Sequence, residues 1–121
     1  MTTRDTARDI VRPYFDAWTS GDMARARTYL ADDLDFQGAI DRFNRADAFV
    51  PALSGFAGML VRTDLLHEFY TDDAAALLYD CVSPTPAGTI RTAEFLRVKD
   101  GKIVEIRLVF DASELRKLMG R

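Results

Sequence analysis

The sequence predicts a segregated α+β domain, with N-terminal helices packed on one face of a mainly antiparallel β-sheet. Three observations carry this. Apolar residues in the first half recur at three- and four-residue steps, the helical period. The second half changes to four strand-length runs. The connections between those runs are short, which forces neighbouring strands to be antiparallel and makes a β-meander. With 121 residues, 48% of them apolar, the chain has material for one core, so a single domain over 1–121 is expected.

From Thr3 to Thr19 one apolar stripe is drawn by Ala7, Ile10, Val11, Tyr14 and Trp18. Pro13 lacks the N–H that would bond the Asp9 carbonyl, which predicts either a kink or a helix whose regular part starts near Arg12. Ser20-Gly21-Asp22 breaks the pattern, and Asp22 is placed to cap a short helix over Met23 to Ala31, with Ala26, Tyr29 and Leu30 inward. A short strand is expected at Leu34 to Gln37, then an irregular stretch from Gly38 through Asn44. A third helix over Arg45 to Leu60, disturbed at Pro51, carries Phe49, Leu53, Phe56 and Leu60 at helical spacing.

The strand-like runs are Val61 to Tyr70, Ala74 to Ser83, Thr89 to Lys99 and Lys102 to Asp111, and a helix from Ser113 to Met119 closes the chain. A three-residue loop at Lys99-Asp100-Gly101 would pair Val98 with Lys102, Leu96 with Val104, Glu94 with Ile106, Thr92 with Leu108 and Ile90 with Phe110, all on one side. Phe95, Arg97, Ile103, Glu105, Arg107 and Val109 would then form the other side. The turn at Thr71 to Asp73 places Leu65, His67 and Phe69 with Ala76, Leu78, Asp80 and Val82, so that His67 lies diagonally near Asp80. If that side faces the helices, His67, Asp80 and Glu94 enter an apolar cavity beneath Tyr14 and Trp18.

Composition removes several classes of function. Sixteen basic against 19 acidic side chains give a net charge of -3, with no electropositive surplus to hold a phosphate backbone, so no nucleic-acid partner is expected. No apolar run approaches the ~20 residues of a bilayer-spanning helix, and the charged N-terminus lacks a signal-peptide core, so the expectation is a cytoplasmic protein without a membrane partner. The single Cys81 and single His67 cannot supply a structural zinc site, and Cys81 is read as a small buried hydrophobe without a role. No metal and no cofactor is expected.

The segments VRPYFDAWTSGD, ARTYLADDLDF and AEFLRVKDGKIVEIRLVFD resemble the nuclear transport factor 2-like superfamily over nearly the whole chain. The style is closest to its SnoaL-like branch, whose relatives include ketosteroid isomerases, polyketide cyclases, limonene epoxide hydrolases and scytalone dehydratases. The resemblance implies a cone-shaped, cystatin-like roll with a curved sheet around an internal pocket. Matched to the isomerase pattern, Tyr14 falls at the oxyanion-stabilising tyrosine and Glu94 at a carboxylic acid kept protonated by apolar surroundings. The chain departs where that family has its proton-abstracting aspartate, because it reads Phe36-Gln37-Gly38 and glycine cannot be a base. No Arg and Asp pattern marks an epoxide hydrolase.

The candidate catalytic residues are therefore Tyr14 and Glu94, to stabilise developing negative charge, and His67 with Asp80, to move a proton near neutral pH. Trp18, Phe36, Phe56, Leu78, Leu108 and Phe110 would line the pocket, and Asp41 with Arg42 could stand at its entrance. Each candidate has a plainer alternative: Tyr14 as core packing, Glu94 bonded to Tyr14 or ion-paired, His67 as a half-exposed strand residue, Asp80 as a polar residue at the pocket mouth. The corresponding functions are a cofactor-free acid/base enzyme (isomerase, cyclase, dehydratase or hydrolase) on a hydrophobic carbonyl-bearing or polyketide-like molecule, or a non-catalytic ligand-binding or dimeric assembly module. A homodimer through the outer sheet face is expected from Tyr79, Cys81, Phe95, Ile103 and Val109.

Overall fold

A computed structural model describes residues 6–118 and 120. Four helices pack on a curved, open six-stranded sheet of order β2-β1-β6-β5-β4-β3. The elements are α1 (Ala7–Thr19), α2 (Met23–Thr28), β1 (Leu30–Gln37), β2 (Arg42–Phe43), α3 (Ala46–Met59), β3 (Arg62–Tyr70), β4 (Ala74–Val82), β5 (Thr89–Lys99), β6 (Lys102–Phe110) and α4 (Ser113–Leu118). Among the described residues no helix is long and apolar enough to cross a membrane.

The α1 helix is continuous through Pro13, so its regular part does not wait for Arg12; the Thr6 N–H donates to Asp9 Oδ2 at 3.1 Å and anchors the first turn. The expected start at Thr3 lies outside the described residues. Its inner face buries Ala7, Val11, Tyr14, Phe15, Ala17 and Trp18. A polar clamp sets the helix against the sheet edge: Arg12 Nη1 donates to Glu68 Oε2 at 2.8 Å, and the Tyr70 hydroxyl donates to Glu68 Oε1 at 2.9 Å. Asp22 caps α2 as its position requires, accepting the Arg25 N–H at 3.1 Å.

The short helix stops at Thr28 rather than Ala31, and β1 begins at Leu30 rather than Leu34. Asp32 and Asp33, which look like a helix terminus, sit where the β1–β6 register shifts, and both are solvent-exposed. β1 also pairs parallel with β6 (Leu30 opposite Ile103, Phe36 opposite Ile106), while every other pairing is antiparallel. The short β2 interrupts the stretch expected to be irregular.

Two bulges decide which side chains meet. The hairpin between β5 and β6 has Asp100 and Gly101 at φ 53° and 75°, with Lys99 opposite Lys102, a tighter turn than the expected three-residue loop. The register shifts by one further residue at Val104, so Glu94 stands opposite Leu108 rather than Ile106 and Thr92 opposite Phe110 rather than Leu108, with the same faces kept together. Ile103 is consequently buried on the helix side and not on the outer face. A second shift between Leu65 and His67 sets Leu65 opposite Tyr79 and His67 opposite Leu78, which separates two residues expected on one side.

On β4 the inward set is Ala75, Leu77, Tyr79 and Cys81, and its alternate Ala76, Leu78, Asp80 and Val82 lies outward, the reverse of the expected choice. Tyr79, Cys81 and Ile103 are thus core residues and supply no outer surface for a dimer. The outer face instead exposes Phe69, Phe95 and Val109. Burial separates two positions that turn counting puts on the same face: Ile103→Ala should lower urea-unfolding stability by about 2–5 kcal/mol, and Val109→Ala by no more than about 0.5 kcal/mol. Equal losses would mean that the bulge at Val104 is absent.

Candidate functional site

Helical spacing at i and i+4 puts Tyr14 and Trp18 on the same side of α1, facing the strands. Beneath them β4 contributes Tyr79, β5 Glu94, and β6 Leu108 and Phe110. The other wall is aromatic: Phe36 stacks on Phe49 with ring centroids 4.5 Å apart, and Phe43 lies 6.0 Å from Phe49. Ala52, Leu53 and Phe56 of α3 and the loop Gly38–Asp41 complete a cavity of about 100 Å³. The loop is tied down by α4, whose Arg116 Nη2 donates to the Ala39 carbonyl at 2.9 Å.

Of the expected pocket residues, Trp18, Phe36, Phe56, Leu108 and Phe110 line this cavity, as do Tyr14 and Glu94. Leu78 does not, because the pleat turns it outward opposite Ala93. His67 and Asp80 are also outside. His67 is exposed and its ring lies against Phe69 at 6.3 Å. Asp80 accepts two bonds from Arg91, from Nε and Nη2, each at 2.9 Å, and that guanidinium holds its carboxyl below the usual range. The two share the outer face but not the cavity. Asp41 lines the cavity at its solvent end, whereas Arg42 does not.

Glu94 is 3% exposed, and among the described residues no lysine or arginine lines the cavity to neutralise it. Its partner is Tyr79, whose hydroxyl donates to Glu94 Oε1 at 2.9 Å, rather than Tyr14 or a cation. Burial pushes the carboxyl up to about 7, and the Tyr79 bond opposes the shift without cancelling it. Burial first, then the nearby Glu94 charge, holds both Tyr14 and Tyr79 well above the ordinary tyrosine value, so each remains an O–H donor at neutral pH. Tyr14 Oη and Trp18 Nε1 are buried and find no hydrogen-bond partner among the described residues. Cys81 lies outside the cavity, and burial pushes its thiol up to about 12, which removes it as a nucleophile.

Sequence reasoning missed Tyr79. What turns it inward is the pairing of Cys81 with Ile90, whereas the run ends read from the sequence, Ser83 and Thr89, would set Val82 opposite Ile90 and Tyr79 outward. Gly38 gains a structural reason, since a β-carbon there would lie 3.0 Å from Cε1 and Cζ of Phe36. The ring occupies the space a side chain at 38 would need. Among the described residues no three His, Cys, Asp or Glu side chains are grouped to hold a metal ion.

The Glu94 shift has a signed consequence for stability. The folded chain holds this proton to about pH 7 against the ordinary 4.5, so it binds more protons than the unfolded chain between those values. This contribution is intact below about 4.5 and is lost as pH rises to about 7, a change of about 3 kcal/mol at ~1.36 kcal/mol per unit. Glu94→Gln should therefore gain stability relative to the wild type between about pH 5 and about pH 8 in urea unfolding. An unchanged difference at both values would contradict the buried acid.

The fold is shared with known proteins. Residues 11–106 match the model of the SnoaL-like domain. A protein from Kribbella flavida DSM 17836 is 30% identical, over 95% of this chain and 94% of that one, with a TM-score of 0.88. A Sinorhizobium meliloti protein named as a candidate polyketide cyclase is 20% identical over 84% and 94%, at TM-score 0.75. A second Kribbella flavida protein, named as a candidate ketosteroid isomerase, is 16% identical over 91% and 82%, also at 0.75. No curated protein matches the chain. The matched span, four-fifths of the sequence, makes this chain a member of the SnoaL-like family, and its fold is shared with a nuclear transport factor 2-like protein from Cytophaga hutchinsonii, 19% identical over 95% of this chain and 98% of that one at TM-score 0.80.

Proposed function

We propose that the chain is a cofactor-free acid/base enzyme that moves a proton next to a carbonyl group on a compact, apolar molecule. The observation that carries this reading is the buried Glu94, placed in an aromatic cavity with Tyr14 and without a cation. A carboxyl poised near neutral pH serves as base when ionised and as acid when protonated. The distant relatives named for polyketide cyclase and ketosteroid isomerase support the same class of chemistry. The cavity is of the order of the roughly 150 Å³ apolar void that holds benzene, which favours a monocyclic or short substrate.

The family pattern gives Glu94 only a donor role. Gly38 has no side chain to act as a base, His67 and Asp80 lie on the outer face and Asp41 is exposed at the solvent end of the cavity, which leaves Glu94 as the buried proton carrier. Its carboxylate takes the proton from the carbon beside the carbonyl; the C–H electron pair becomes the C=C bond and the carbonyl π pair moves to oxygen. Tyr14 donates its O–H to that oxygen. The protonated Glu94 then returns the proton to the same carbon or to a conjugated one, so no atom or electron is left over.

Exchange of solvent deuterium into cyclohexanone, followed by NMR, requires these steps and one more, the swap of the abstracted proton on Glu94 for a solvent deuteron before it is returned to carbon. The rate should exceed the buffer rate and rise with pH until it levels above about 7. Tyr14→Phe should lower it by about 10²- to 10³-fold. Glu94→Gln should abolish it, and His67→Ala should leave it unchanged. Cyclohexanone that binds without exchange would favour the non-catalytic ligand-binding module instead.

A further inference from the structure

We infer that Trp18 is a specificity-determining residue, whose indole N–H joins the Tyr14 hydroxyl in holding the carbonyl oxygen of the ligand. Trp18 looks like packing: it is 2% exposed and meets Phe15 and Tyr79 edge-on, with centroids at 5.5 and 5.9 Å. Packing accounts for its ring and not for its nitrogen. Nε1 is buried without a protein partner, and a buried donor left unpaired destabilises the fold unless something accepts from it.

The second unpartnered donor is the clue to what accepts. Tyr14 Oη is buried and unpaired in the same way, one helical turn earlier on the same face, and both residues line the one cavity. Indole offers a donor only, so a group satisfying it must bring a lone pair. A carbonyl oxygen has two, enough for both donors. The other hydroxyl on the wall is already engaged, because Tyr79 is bonded to Glu94. The cavity therefore has an oxygen-accepting end built by α1 and a proton-exchanging end built by β4 and β5. This inference rests on the carbonyl class proposed above, but it concerns binding and requires no turnover.

Trp18 is the only tryptophan in the chain, so its indole gives one isolated ¹H–¹⁵N cross-peak. Cyclohexanone should move that peak saturably downfield. Methylenecyclohexane, with the same outline and no acceptor oxygen, should not. Trp18→Phe should weaken cyclohexanone binding about 3- to 10-fold relative to methylenecyclohexane, the loss expected for one hydrogen bond. An equal response of the peak to both probes, an unchanged ratio of their affinities in Trp18→Phe, or no saturable cyclohexanone binding would overturn the assignment. Deuterium exchange without a cross-peak response would remove Trp18 from the site and leave the enzyme reading standing. A response without exchange would do the reverse.

Discussion

A carboxyl enclosed in aromatic and aliphatic side chains, with a phenol and no cation beside it, is the constraint around which the rest of this molecule is arranged. Taking a charged carboxylate out of water is costly, and in an apolar cavity the group answers by holding its proton. Glu94 can stay inside because the Tyr79 hydroxyl bonds one of its oxygens and because its pKa sits where the neutral form is accessible. The same burial keeps the tyrosines protonated. One environment thus sets both an acid near neutrality and the O–H donors around it.

That environment is produced by register. Glu94 faces the helices by alternation with Leu96 on β5, and the shift at Val104 sets Leu108 and Phe110 of β6 on that same side, where the hairpin register alone would set Arg107. The Arg12–Glu68–Tyr70 clamp then holds α1 so that Tyr14 and Trp18 cover the strands. On the far wall the Phe36 ring takes the space beside Gly38 and stacks on Phe49, so that wall is aromatic. Glu94 is then the buried carboxyl of the cavity wall, and Asp41 stands at its solvent end.

Much of this was legible in the amino-acid pattern, and the parts that were not have physical reasons. Tyr14, Trp18 and Glu94 could be placed because helical period and strand alternation are strong in α1 and β5. The β4 strand has no such alternation: Ala75, Leu77, Tyr79 and Cys81 are as apolar as most of their neighbours, so its inner face had to be inferred from a turn. That inference set Leu78 and Asp80 inside in place of Tyr79. Bulges are equally silent, since an extra residue at Leu66 or Val104 changes pairing without changing composition. The parallel β1–β6 pairing joins segments some seventy residues apart, and no local signal announces it.

Function in this family follows from such placements more than from the fold, which serves many reactions. Here the proposed proton transfer depends on one buried acid, Glu94. The most direct measurement is the titration of Glu94 by carboxyl ¹³C NMR, with its resonance assigned by Glu94→Gln. A midpoint near 7 is the predicted result. A midpoint near the ordinary 4.5 would show a solvated carboxylate and contradict the buried acid on which the proposed chemistry depends.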